Sequence, residues 1–109
     1  MSSYNAVIAE AAQHDMLDIF DYIALELREP ETASSLPSRI RAKVKSLEEF
    51  PERNNMISEP KYESNKIRWC PIENYVIFYQ ISEVQNQVFI LRVLYKKRNW
   101  EHLLSPNQS

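Results

Sequence analysis

Glycine is absent from the 109 residues, and cysteine occurs once, at Cys70. Without glycine there is no glycine-rich phosphate loop, so P-loop and dinucleotide-binding Rossmann readings are excluded. Turns must rest on proline, asparagine and aspartate, or stay open. A single cysteine permits no intramolecular disulfide, and before Pro71 it reads as a buried small hydrophobe. No N-terminal apolar run resembles a secretion signal, and no apolar stretch is long enough to span a bilayer. The expectation is a cytoplasmic protein with no membrane partner.

A strong charge of either sign is also missing. Thirteen Lys/Arg face fifteen Asp/Glu, a net charge of −2, which argues against a dedicated nucleic-acid binder. The halves differ, however. Residues 1–60 carry 6 basic and 11 acidic side chains, and residues 61–109 carry 7 and 4. Basic charge therefore follows the C-terminal segments and acid the N-terminal ones. The 44% hydrophobic content places the chain among ordinary globular domains, and its length fits one core. A single domain over residues 1–104 is expected, with a disordered tail at 105–109.

The densest run of β-branched and aromatic residues is 67–95, IRWCPIENYVIFYQISEVQNQVFILRVLY. It reads as three antiparallel strands. Residues 74–81, NYVIFYQI, are apolar at nearly every position, as in a central strand covered on both faces. Residues 88–95, VFILRVLY, match them except for Arg92. Between these runs Gln85-Asn86 reads as a two-residue turn. With that turn, Val76 and Phe78 share a face with Phe89, Leu91 and Val93. Tyr75, Ile77 and Tyr79 then share the other with Ile90, Arg92 and Leu94. The helices are expected on the first face, leaving the second open for a partner.

Ahead of the sheet, residues 4–9 read as a short strand and 11–28 as a helix with Met16, Ile19, Phe20, Ile23 and Leu27 in its apolar stripe. Asp15, Asp18 and Asp21 read as a solvated face. Glu29-Pro30-Glu31 breaks the pattern. A second helix follows with the stripe Ala33, Leu36, Ile40, Val44 and Leu47, ending near Phe50-Pro51. Pro37 is expected to kink it or delay its start. Arg39, Arg41, Lys43 and Lys45 flank the stripe as snorkelling cations. Residues 51–65 read as a polar surface loop, and 96–104 as a last helical turn or tail anchored by Trp100. His14 and His102 read as solvated surface residues. The fold class expected is α+β: an N-terminal strand, then a two-helix hairpin packed on one face of a three- to four-stranded antiparallel sheet.

This order carries recognisable landmarks: DMLDIFDYI at 15–23, Ala33 through Leu47 into EEFPER at 48–53, KIRW at 66–69, ENYVIFYQI at 73–81 and ILRVLYKKRNWEHLL at 90–104. The set resembles the RelE/ParE superfamily of bacterial toxins from type II toxin–antitoxin modules. The resemblance implies a cognate antitoxin, usually encoded beside the toxin, and growth inhibition when that antitoxin is degraded. It leaves the target divided: RelE-like members cut mRNA in the ribosomal A site, and ParE-like members poison DNA gyrase without cutting anything themselves. A third alternative is a decayed module that only binds antitoxin.

Metal-independent RNA cleavage requires a proton acceptor, charge stabilisation and a proton donor. No cofactor is called for. The candidate side chains are Arg68, Arg92, Tyr95, Lys96, Lys97 and Arg98. Of these, Arg68, Arg92 and Lys96 to Arg98 sit where the enzymatic members that the chain resembles place basic residues. That set tips the expectation towards a ribosome-dependent mRNA endoribonuclease, with gyrase inhibition as the alternative. No histidine stands near Tyr95, where many relatives carry one. Tyr75, Ile77 and Tyr79 are the expected antitoxin-binding residues.

Overall fold

The structure, a computed structural model, describes residues 3–57 and 66–96. The chain order is strand β1 (Asn5–Ile8), helix α1 (Glu10–Asp21), a π-helical turn at Tyr22–Glu26 and helix α2 (Pro30–Ser46). A 3-10 turn at Pro51–Arg53 follows, then β2 (Arg68–Ile72), β3 (Tyr75–Ser82) and β4 (Gln87–Tyr95). The expected tail at 97–109, with Arg98, Trp100 and His102, and most of the loop at 58–65 lie outside the described residues.

The sheet runs β1-β4-β3-β2. The hairpins β2–β3 and β3–β4 are antiparallel as expected. β1 pairs in parallel with β4, from Asn5 opposite Gln87 to Ile8 opposite Ile90, so the sheet is mixed. β3 is the central strand that its unbroken apolar sequence requires, buried from Val76 to Tyr79.

The expected faces are corrected in two ways. The turn is a four-residue loop at 83–86, closed by Ser82 opposite Gln87 and ending on left-handed Asn86 at φ 56°. A β-bulge then follows: Tyr79 faces Ile90 but Phe78 faces Arg92, leaving Leu91 as the extra residue. One inserted residue inverts the side-chain alternation beyond it. Val93 therefore lies with Ile77, and Leu94 with Val76. The helices also cover the other face from the one expected. Ala12, Met16, Ile23, Ala33, Leu36, Ile40, Val44 and Leu47 pack onto Cys70, Ile77, Tyr79, Val88, Ile90 and Val93. Ile77 and Tyr79 are 0% exposed, so the open face assigned to them does not exist. The opposite face holds a smaller cluster of Val76, Phe78 and Leu94 with Ile57 and Ile67.

Tyr79 settles on the helix side because its hydroxyl finds a partner there. It donates to the Pro51 carbonyl at 2.6 Å and accepts from Asn54 Nδ2 at 3.1 Å. Burial raises its pKa above 10.0. The 3-10 turn that supplies Pro51 is in turn tied to α2. Arg53 donates to the Ser46 and Glu49 carbonyls, at 3.2 and 2.7 Å, at the C-terminus of α2 and just past it.

The buried set is Ala12, Asp15 and Met16 in α1 and Ile23 in the π-helical turn. Phe20 and Leu27, expected in the stripe, are 37% and 48% exposed. In α2 the expected stripe is buried throughout. Pro37 neither delays the start nor ends the helix, which begins with Pro30 in its first turn, where a missing N–H leaves no bond unmade. The outer edge of β1 is closed by Glu48. Its backbone carbonyl accepts from Tyr4 N–H, and its carboxylate accepts from Ala6 N–H at 2.9 Å.

Two predictions follow from this packing. Tyr79→Ala should lower stability by about 3–5 kcal/mol, the range for large aromatic truncations. Tyr79→Phe should lower it by roughly 1–3 kcal/mol by leaving the Pro51 carbonyl buried without its donor. Denaturant melts of the isolated chain would reverse the assignment of faces if Tyr79→Ala melted like the parent. The second concerns acid. The Ala6 N–H, and secondarily Lys45, holds the Glu48 carboxyl below its ordinary pKa against the opposing effect of burial. A depressed folded pKa contributes stability that is present above the unfolded value of about 4.5 and lost as pH falls through the folded value. Glu48→Gln should therefore flatten the acid limb of a Tm-against-pH profile, and an unchanged limb would remove Glu48 from that role.

Candidate functional site

β1 ends at Ile8, and the outer edge of β4 continues past it. Asp15, on the second turn of α1, meets this edge. One carboxylate oxygen accepts from Val93 N–H at 3.0 Å and from Arg92 Nε at 2.7 Å; the other accepts from Arg92 Nη2 at 2.7 Å. The carboxylate thus stands where the next residue of β1 would, and it binds a guanidinium in bidentate fashion. Asp15 is 7% exposed. The expectation of Asp15 on a solvated face is therefore wrong. Helical spacing to Ala12 and Ile19 puts it on the buried side. Hydrogen bonding to Asp15 raises the Arg92 pKa, more than burial lowers it.

Above this pair lies a cleft of about 650 Å³, lined by Asp15, Asp18, Ile19 and Tyr22 of the first helical limb, by Leu27, and by Tyr75, Val93, Leu94 and Tyr95 of the sheet. Residues 15, 18, 19 and 22 follow the i, i+3, i+4, i+7 steps that align side chains on one helix face. The limb then widens: Leu27 N–H donates to the Tyr22 carbonyl and Glu29 N–H to the Ile23 carbonyl, both at 3.1 Å. A π-helical turn of this kind often marks a functional site. It leaves Tyr22 55% and Leu27 48% exposed at the cleft mouth, where Tyr95 is 46% exposed. Tyr75 is half-buried and meets Tyr95 edge-on, with ring centroids 6.0 Å apart. Burial, and then the neighbouring Tyr95, raises the Tyr75 pKa, so neither phenolate nor base chemistry is favoured on that ring.

The expected catalytic side chains are not gathered around one point. Arg68 sits on edge strand β2 opposite Tyr79, and its guanidinium donates to the Glu52 and Asn54 carbonyls at 3.1 and 2.6 Å. Tyr95 pairs with Tyr75, four residues along β3 from Tyr79, which is roughly 13 Å of strand. Arg92 is turned onto Asp15. Lys96 is exposed, its backbone N–H donating to the Asn74 carbonyl. Arg98 lies outside the described residues. Of the expected antitoxin contacts, only Tyr75 reaches the cleft; Ile77 and Tyr79 are core. Tyr22 escaped the sequence reading and Asp18 was read only as part of a solvated face, although their spacing to Asp15 carried the signal.

The cleft, the mixed sheet and the helical hairpin can be set beside known proteins. Residues 6–100 match the family model described as the ParE toxin of the type II toxin–antitoxin system parDE. The chain belongs to the ParE toxin family. Two solved structures share the fold of this ParE-family chain. One is the chromosomal ParDE toxin–antitoxin system of P. aeruginosa, at 19% identity and TM-score 0.66, covering 85% of this chain and 96% of that one. The other is the RelBE2 toxin–antitoxin complex of Mycobacterium tuberculosis, at 16% identity and TM-score 0.58, covering 85% and 98%. No curated protein matches the chain by sequence. The ParE-family chain is thus a toxin of the RelE/ParE superfamily, as its landmarks imply. No helix among its described residues is long and apolar enough to cross a membrane.

Arg92→Ala takes the guanidinium from the buried Asp15 carboxylate, and Asp15→Asn takes the counter-charge from the half-buried Arg92; breaking a buried pair costs about 3–5 kcal/mol. Arg92→Ala and Asp15→Asn should each lower Tm markedly. The double variant Asp15→Leu with Arg92→Met, which removes both charges, should recover much of that loss. Equal losses in single and double variants would show that the pair does not act as a unit.

Proposed function

We propose that this toxin arrests growth by binding a protein target, DNA gyrase in the manner that resemblance to ParE-like members implies, and not by cutting RNA. We further propose that a cognate antitoxin restrains it by covering the tyrosine-lined cleft. The observation that supports this reading is the commitment of both strand arginines to partners within the fold. Arg92 is bound to Asp15, and Arg68 to two backbone carbonyls. Stabilising a phosphorane needs guanidinium groups whose donors point at the phosphate. The cleavage reading retains Tyr95 and Lys96, both exposed at the end of β4, so it has its own test.

Induced expression should stop bacterial growth, and co-expression of the protein encoded by the adjacent open reading frame should restore it. Under gyrase inhibition the arrested cells mount an SOS response and accumulate cleaved plasmid, while primer extension on ribosome-bound transcripts shows no new ends. Tyr95→Phe keeps the ring and removes the phenolic proton, and Lys96→Ala removes the exposed ammonium. Both variants should stay toxic. Loss of toxicity in either variant at unchanged Tm, together with discrete transcript cuts in the parent, would favour the endoribonuclease.

A further inference from the structure

Seven acids and one base occupy residues 10–31: Glu10, Asp15, Asp18, Asp21, Glu26, Glu29 and Glu31 against Arg28. The cleft opens through this acidic limb. Its wall is aliphatic and aromatic, with Ile19, Leu27, Tyr22, Tyr75 and Tyr95, and Asp18 is the carboxylate in that wall besides Asp15. Asp15 is already occupied by Arg92. Asp18 is exposed. An apolar cleft with a carboxylate and several π faces suits one kind of side chain: a cation carried on an aliphatic stem. Arginine fits better than lysine, because its planar guanidinium stacks on tyrosine and meets a carboxylate in two-point fashion. Asp15, which also lines the cleft, shows that two-point geometry in its contact with Arg92.

We propose that the cleft seats an arginine of the antitoxin's toxin-binding segment, with its guanidinium on Asp18 between the tyrosine rings and a flanking apolar residue on Ile19 and Leu27. This rests on the reading that an antitoxin covers the cleft, and it names the chemistry of the contact. The π-helical turn supports it, since its widened backbone sets Tyr22 and Leu27 at opposite ends of one turn, both exposed at the mouth. A partner segment with the opposite charge is steered to the acidic limb before it docks.

The test uses the full chain and the protein encoded by the adjacent open reading frame. Kd is measured for the parent, for Asp18→Lys and for Glu31→Lys, which makes the same charge change on α2, away from the cleft. Asp18→Lys should weaken the complex at least roughly thirtyfold, the scale for disrupting a desolvated charge pair at an interface. Glu31→Lys should change it by no more than about threefold, as a rim charge does. Each antitoxin arginine is then replaced by glutamate in turn, and one such variant should recover affinity selectively with Asp18→Lys. Equal weakening by the two toxin variants would reduce the effect to long-range charge and overturn the proposal. So would an unchanged Kd for Asp18→Lys, with the complex intact and the antitoxin reading still standing. Absence of any complex with the parent would overturn both readings. Melts of each toxin variant accompany the measurements, and Asp18→Lys should melt like the parent because Asp18 is exposed.

Discussion

The Asp15 carboxylate does for β4 what a longer β1 would have done. The outer edge of β4 needs a partner after Ile90, where β1 gives way to a helix. A buried strand edge with an empty amide costs about as much as a lost hydrogen bond. Asp15 fills that place for Val93 and binds the one guanidinium of β4 in the same contact. That carboxylate shares the buried side of α1 with Ala12 and Met16, and this side facing the sheet decides which side chains face outward. Tyr22 and Asp18 line the cleft because Asp15 points at the sheet. Charge burial of this kind contributes little net stability compared with an apolar pair.

The absence of glycine shapes the connections. Among the described residues, five take left-handed backbone conformations: Arg28, Phe50, Lys66, Glu73 and Asn86. Each such residue costs on the order of 1 kcal/mol relative to ordinary φ. Every one marks a chain reversal or an element boundary, where the cores on both sides impose the geometry. Arg28 ends the π-helical limb, and Phe50 turns the chain from α2 into the 3-10 turn that receives Tyr79. Glu73 turns β2 into β3 and is held against α2 by paired contacts with Arg39, at 2.5 and 3.1 Å. That pair is exposed, so its role is positional.

The elements themselves were legible because their residues repeat at the steps that strands and helices demand. NYVIFYQI announced a central strand, and Ala33 to Leu47 a buried helical stripe. Face assignment was not legible. Two apolar faces gave no sign of which one the helices cover, and the extra residue at Leu91, which inverts the end of β4, leaves no mark in a run as uniformly apolar as VFILRVLY. The site was partly legible. Arg92 stood out as a charge within an apolar strand, and Asp15 lay in phase with Ala12 and Ile19. Reading the two together would have found the pair, but nothing in a linear pattern states that residues 77 positions apart meet. Tyr79 misled for a different reason. A phenol in a strand suits a surface or a core equally well until its hydroxyl finds a carbonyl, here that of Pro51.

β1 has one neighbour in the sheet, and that neighbour is β4. The earliest strand therefore waits for the latest one, and Asp15 waits for Arg92. Loop closure over such separations slows folding relative to local pairing. During synthesis the helical hairpin emerges with its apolar stripe exposed and nothing to cover it until β3 and β4 have left the ribosome. The two walls of the cleft cannot meet until the last strand is in place, because Val93, Leu94 and Tyr95 belong to β4. A binding partner that needs both walls therefore meets a folded chain and not a nascent one.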